Sequence, residues 1–289
     1  LSMETLNQPV RNVLTFVKES IDNQRETAVF DREQAHVKSG VFEKECAVLL
    51  KNDGILPLSK RKKIAFIGAF AESPRYQGTG SSHINVRHAV SALECLDGWE
   101  AVYAKGYDAD QEDADEELLR QAAEIAKNAE AAVIFAGLPE AYETEGCDRD
   151  TMKMPAGQNA LIEAVAQVQP NTVVVLHGGS PIELPWLAHV RAVLCMYLGG
   201  DQVGRAAVEL LCGAANPSGK LAETWPLRLE DNPSFLNFPG EGARVEYREG
   251  IFIGYRYYDR KKMAVCFPFG HGLSYTEFAY SGLELDRSQ

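Results

Sequence analysis

Long apolar runs are missing from this 289-residue chain; none approaches the roughly 18 residues that a membrane-spanning helix needs. No secretory signal pattern opens it either; a cytoplasmic protein with no membrane partner is expected, the compartment resting on the thiols that follow. The six cysteines (Cys46, Cys95, Cys147, Cys195, Cys212 and Cys266) are scattered without a CxxC pair. Cys195 and Cys212 fall in apolar patterns, so buried free thiols in a reducing compartment are expected. The six histidines show no metal-ligand spacing and no HExxH occurs, so no metal site is expected. Positive charge is also short: 29 Lys and Arg against 41 Asp and Glu leave a net charge of -12, which excludes a duplex nucleic-acid partner. The only basic cluster, Lys60-Arg61-Lys62-Lys63, reads as a solvated turn ahead of a strand. Nucleotide fingerprints are absent, since neither GxGxxG nor GK[ST] occurs. Gly178-Gly179-Ser180 does not match a nucleophile elbow. No cofactor is expected.

What is present is an alternation of two periods. Short apolar runs at Lys63–Gly68, Glu100–Lys105, Ala131–Leu138, Thr172–His177 and Ala192–Leu198 read as strands. Between them, Val86–Leu96, Glu112–Asn128, Pro155–Val168, Glu183–Val190 and Gln202–Leu211 read as helices. Strands apolar on both faces and alternating with helices predict an α/β fold, a mostly parallel sheet between helical layers. Ahead of it, Val10–Ile21 and Asp31–Leu50 read as amphipathic helices; behind it, Phe278–Leu285 alternates like a half-buried strand. That strand stands four residues from the end of the sequence and calls for partners beyond it. Trp186 and Trp225 read as core.

Glycines at strand ends (Gly68, Gly137, Gly178-Gly179, Gly199-Gly200) mark the carboxyl edge of the sheet, where open α/β sheets place their chemistry. The loop Tyr142–Asp150 leaves that edge with carboxylates beside an arginine, a combination suited to general acid–base work. Gln77-Gly78-Thr79-Gly80-Ser81-Ser82 follows the first strand onto the same edge. Gln77, Ser81 and Ser82 have side chains able to bond a polar ligand, or to satisfy the turn itself.

Five runs in order resemble the family 3 glycoside hydrolases, which are largely β-glucosidases: Ala47–Leu58, Tyr76–Ser82, Glu143–Arg149, Asn216–Leu221 and Phe267–Thr276. The resemblance implies residues 1–45 as the end of a barrel domain with linker helices, 46–270 as the family's α/β sandwich domain, and 271–289 as the start of a truncated fibronectin-III-like domain. It assigns the proton donor of a retaining glycosidase to Glu145, with Glu143 as the competitor, and places the nucleophilic aspartate on a barrel outside these residues. Cys147 stands where the family commonly has tyrosine. Gln77, Gly78, Ser81 and Ser82 are implied to border the sugar pocket, while Asp148 and Arg149 read as loop organisers, the guanidinium holding carboxylates bidentately. The expected partners are a β-glucoside or related oligosaccharide, the chain's own barrel, and a second copy through surface left apolar by the barrel's absence. A catalytically silent sugar-binding or barrel-docking module is the alternative.

Overall fold

A computed structural model describes residues 2–25 and 29–285, in two units, one ending at Ala35 and the other beginning at His36. In the first unit, helix α1 (Met3–Asp22) starts at Ser2, whose side chain accepts the Thr5 N–H at 3.2 Å. Val10, Val13, Leu14, Val17 and Ile21 recur at helical spacing on it, and no residue of the helix is buried. Helix α2 (Arg32–Cys46) continues into the second unit. It is shorter than the expected helix Asp31–Leu50, because Ala47-Val48-Leu49-Leu50 is buried on every side and forms strand β1 (Val48–Asn52) instead.

Five parallel strands follow: β2 (Lys63–Ile67), β3 (Glu100–Ala104), β4 (Ala131–Gly137), β5 (Thr172–His177) and β6 (Ala192–Tyr197). The sheet order is β1-β6-β5-β4-β2-β3, with β1 antiparallel on β6. Every residue of β4 and β5 is buried, as strands covered on both faces require. The connecting helices are α3 (Ala69–Glu72), α4 (Glu116–Lys127), α5 (Ala156–Val168) and α6 (Val203–Leu211), with α7 (Tyr255–Lys261) beyond the sheet. Trp186 and Trp225 are fully buried, and the Trp186 indole N–H donates to Asn159 Oδ1 at 2.9 Å. The Leu273 N–H donates to the Leu49 carbonyl at 2.8 Å, so the run around Phe267–Thr276 closes over β1.

Three further expected elements differ. Val86–Leu96 holds only a 3-10 turn at Leu93–Cys95; Ser91 and Glu94 bond each other's backbone N–H groups as a capping box, which puts the start of helical turning after Ser91. The flanking Val90 is tied to Asp201 and Gly204, which keeps the segment from winding. Glu183–Val190 likewise contains only the 3-10 turn Leu187–His189. Residues 278–285 form no strand; Phe278, Tyr280, Leu283 and Leu285 are exposed, and among the described residues no neighbouring strand offers a ladder.

Helix α4 begins later than its acidic composition predicts because Asp115 accepts the N–H groups of Glu117 and Leu118, at 2.9 and 3.1 Å. Asp115→Ala is expected to cost about 1 kcal/mol in urea unfolding while Asp115→Asn stays close to wild type. Equal losses in the two variants would contradict the capping account.

Candidate active site

Chain order sets the location of the site. From β2 the connection runs to β3 on one side, then returns past β2 to β4 and proceeds the other way to β5 and β6. The strand order therefore reverses between β2 and β4, and the loops leaving their carboxyl ends must diverge around a crevice. Glycine permits the tight approach there. A Cβ on Gly68 would lie 2.1 Å from the Phe135 carbonyl oxygen, and one on Gly137 would lie 1.8 Å from that of His177.

The two loops meet through Glu145. Its Oε2 accepts the Ser81 N–H at 2.6 Å, while the Thr79 hydroxyl donates to the Glu143 carbonyl at 2.8 Å. At Gly80, with φ of +86°, a Cβ would come within 2.5 Å of the Glu145 Cβ. Glu145 is exposed, and the Ser81 side chain and backbone N–H hold its carboxyl below the ordinary glutamate value.

Glu143 occupies a different setting. Its carboxylate accepts the Gly179 N–H at 2.9 Å and the Ser180 hydroxyl at 2.8 Å, and its side chain is only 13% exposed. It therefore fastens the loop after β4 to the loop after β5. Arg149 reaches the same place by another route, donating to the Thr151 carbonyl, to Ser180 Oγ at 2.6 Å and to the Pro181 carbonyl at 2.8 Å. Among the described residues it makes no hydrogen bond to a carboxylate, so the expected bidentate grip is not formed. Asp148, the other expected loop organiser, is exposed and accepts no hydrogen bond from the described residues.

The glycine-rich loop mostly satisfies itself. Gln77 Nε2 donates to Tyr76 Oη and to the Ile84 carbonyl, and its Oε1 accepts the Ile84 N–H at 2.9 Å. Ser82 donates to the Thr79 carbonyl at 3.4 Å, and a Cβ on Gly78 would touch Ser82 Oγ at 2.8 Å. Ser81 alone of this group contacts the candidate carboxylate.

Sequence patterns gave no hint of Arg75. Its guanidinium is 4% exposed, with Nε donating to the Leu138 carbonyl at 3.3 Å. The other two nitrogens have no hydrogen-bond partner among the described residues; they face Glu140 and Glu143 at 3.9 and 4.0 Å. A charged residue in a polar loop carries no periodicity, so its burial was invisible. Beneath lies His177, fully buried between Phe70 and Phe135, and burial pushes its pKa down to about 4. The thiols divide: Cys195 is buried but Cys46 and Cys147 are exposed, and none of the six is in a disulfide. No helix among the described residues is long and apolar enough to cross a membrane.

Residues 47–275 match the family described as the glycosyl hydrolase family 3 C-terminal domain. The chain is 50% identical over 293 residues to thermostable beta-glucosidase B of Acetivibrio thermocellus, covering 99% of this chain and 39% of that protein. It is 46% identical to an exo-alpha-(1->6)-L-arabinopyranosidase of Bifidobacterium longum, over 93% of this chain and 37% of that one. Among solved structures, a GH3 beta-glucosidase of Bifidobacterium adolescentis superposes with a TM-score of 0.93 at 42% identity, covering 98% of this chain and 43% of that one. Beta-glucosidase 3B of Thermotoga neapolitana, solved with alpha-D-glucose, gives 0.86 at 31% identity, over 100% and 45% of the two chains. The chain thus spans about two fifths of the length of the curated relatives it matches.

Proposed function

Because the chain belongs to the family 3 glycosyl hydrolases and carries their C-terminal domain, we propose that it supplies the general acid/base of a retaining β-glycosidase. A β-glucosidase is the first reading, with the nucleophilic aspartate on a barrel domain. The observation that carries this is the placement of the two carboxylates. Glu145 stands exposed at the reversal point of the sheet with one backbone donor, whereas Glu143 is spent on Gly179 and Ser180. A proton donor must keep an oxygen free for the leaving group, and only Glu145 does.

In the proposed cycle the barrel aspartate attacks the anomeric carbon as Glu145 protonates the departing oxygen. Glu145 then takes a proton from the water that releases the sugar. Ser81 orients the carboxyl, Glu143 and Arg149 hold the loop on which it rides, and Arg75 supplies positive charge beneath that loop. A donor must be protonated near neutrality, yet Glu145 here lies below the ordinary value. Docking of the barrel would strip water from it and bring a second carboxylate close, and both effects raise the pKa.

In this chain alone, an NMR titration should therefore find Glu145 below an ordinary glutamate, and Ser81→Ala should bring it part of the way back up. Since its folded value is depressed, its contribution to stability is present above the unfolded value and fades as pH falls through the folded one. A raised value in the isolated chain would remove the need for barrel desolvation. Reconstitution tests the function itself: hydrolysis of an aryl β-glucoside should appear only with a nucleophile-bearing barrel, and turnover of a β-linked disaccharide should be nearly lost with Glu145→Gln. A parallel assay on an aryl α-L-arabinopyranoside decides between the sugars named for the two relatives. If the reconstituted protein binds sugar without turnover, the silent-module reading replaces this one.

A further inference from the structure

A cavity of about 560 Å³ begins three residues after Glu145 and includes none of the Gln77–Ser82 loop. Its apolar wall comes from the segment after β6 and α6: Phe235 and Phe238 are 39% and 50% exposed, large for aromatic rings that line a cavity. The same cavity holds three carboxylates, Asp148, Asp150 and Glu223, and none accepts a hydrogen bond from the described residues. Its one cation, Arg149, spends three of its five N–H donors on Thr151, Ser180 and Pro181. The site therefore offers aromatic faces and free acceptors, with three carboxylates against a single guanidinium. A volume in the range of small-molecule sites, apolar walls and a few convergent polar groups are what a bound ligand requires. Three carboxylates against one guanidinium repel anions.

We propose that this cavity binds a neutral pyranose unit of an oligosaccharide, at a place separate from Glu145. The sugar hydroxyls donate to Asp148, Asp150 and Glu223, and its C–H face lies on Phe235 or Phe238. The preference for a sugar over other hydroxyl-rich molecules rests on the glycosidase reading; the exclusion of anions rests on the charges alone.

Amide-resolved NMR titration of this chain with cellobiose tests it, because binding needs no barrel and no turnover. Saturating shifts are expected at Thr151, Met152 and Ser234–Phe238, with a Kd on the order of 1 mM. Glucuronic acid and glucose 6-phosphate should bind far more weakly. The double variant Phe235→Ala/Phe238→Ala should weaken cellobiose about tenfold, and Glu223→Gln should weaken it while improving the two anionic sugars. These side chains are exposed, so thermal melts should show the variants folded. Glu145→Gln should leave the binding unchanged, which keeps this result independent of the catalytic assignment. Shifts confined to the Ser81–Glu145 contact, no saturation, equal binding of the anionic sugars, or preferential binding of spermidine would each overturn it.

Discussion

Glu145→Gln, in the chain joined to its barrel, should lower kcat/KM for a disaccharide by about a thousandfold, the ordinary size of a lost general acid. Glutamine preserves volume and still accepts the Ser81 N–H, so the loop should keep its shape and the loss should be chemical. Leaving groups will separate this from damage to the fold. A nitrophenolate departs without a proton, so its first step should suffer far less than that of a sugar alcohol. The second step still lacks its base, so the glycosyl-enzyme should accumulate, and azide, a nucleophile that needs no deprotonation, should release it. Glu143→Gln should behave differently, with reduced thermal stability and losses that do not depend on the leaving group, because it breaks the anchor to Gly179 and Ser180. If instead Glu143→Gln shows the leaving-group dependence and Glu145→Gln does not, the two roles are exchanged.

The second large effect lies away from the site. Glu43, on α2, places its carboxyl flat against Gly199, where a Cβ would come within 2.0 Å of it. The side chain is buried, Oε1 has no hydrogen-bond partner among the described residues, and burial pushes its pKa up to about 8. In the unfolded chain the same group titrates at the ordinary glutamate value. Between these two values the folded chain binds the extra proton, so stability falls as pH rises through the window. Glu43→Gln removes the penalty and should stabilise the second unit by about 3 kcal/mol at pH 7 but by less than about 1 kcal/mol at pH 5. Urea unfolding at both pH values measures it. A gain independent of pH would mean that Glu43 is not the titrating group.

Much of the site was legible in the residues. The run Ala131–Gly137 reads as a buried strand from its composition, and a carboxylate loop directly after a buried parallel strand has to emerge at its carboxyl edge. That reasoning places Glu143, Glu145 and Arg149 at the right edge. It cannot separate the two glutamates, because two residues of loop put either one outward. The separation came from contacts made across the sheet, by Gly179 and Ser180 after β5 with one, and by Ser81 after β2 with the other. Local chemistry also misled in places. Val86–Leu96 has helical spacing, but the capping box of Ser91 and Glu94 puts the start of helical turning after Ser91, and Val90 ahead of it is tied to Asp201 and Gly204.

By itself, the sequence determined the element types of the parallel core, the sheet edge on which the candidate carboxylates stand and, through five ordered runs, the family. Periodicity and strand-end glycines are local, and they survive in one dimension. Tertiary structure alone decided the reversal of strand order between β2 and β4, the turn of Ala47–Leu50 into an antiparallel β1, and the burial of Arg75, His177 and Glu43. The physical reason is that burial and strand pairing are set by residues far apart in sequence. A titratable group reveals its environment only once those distant surfaces have closed over it.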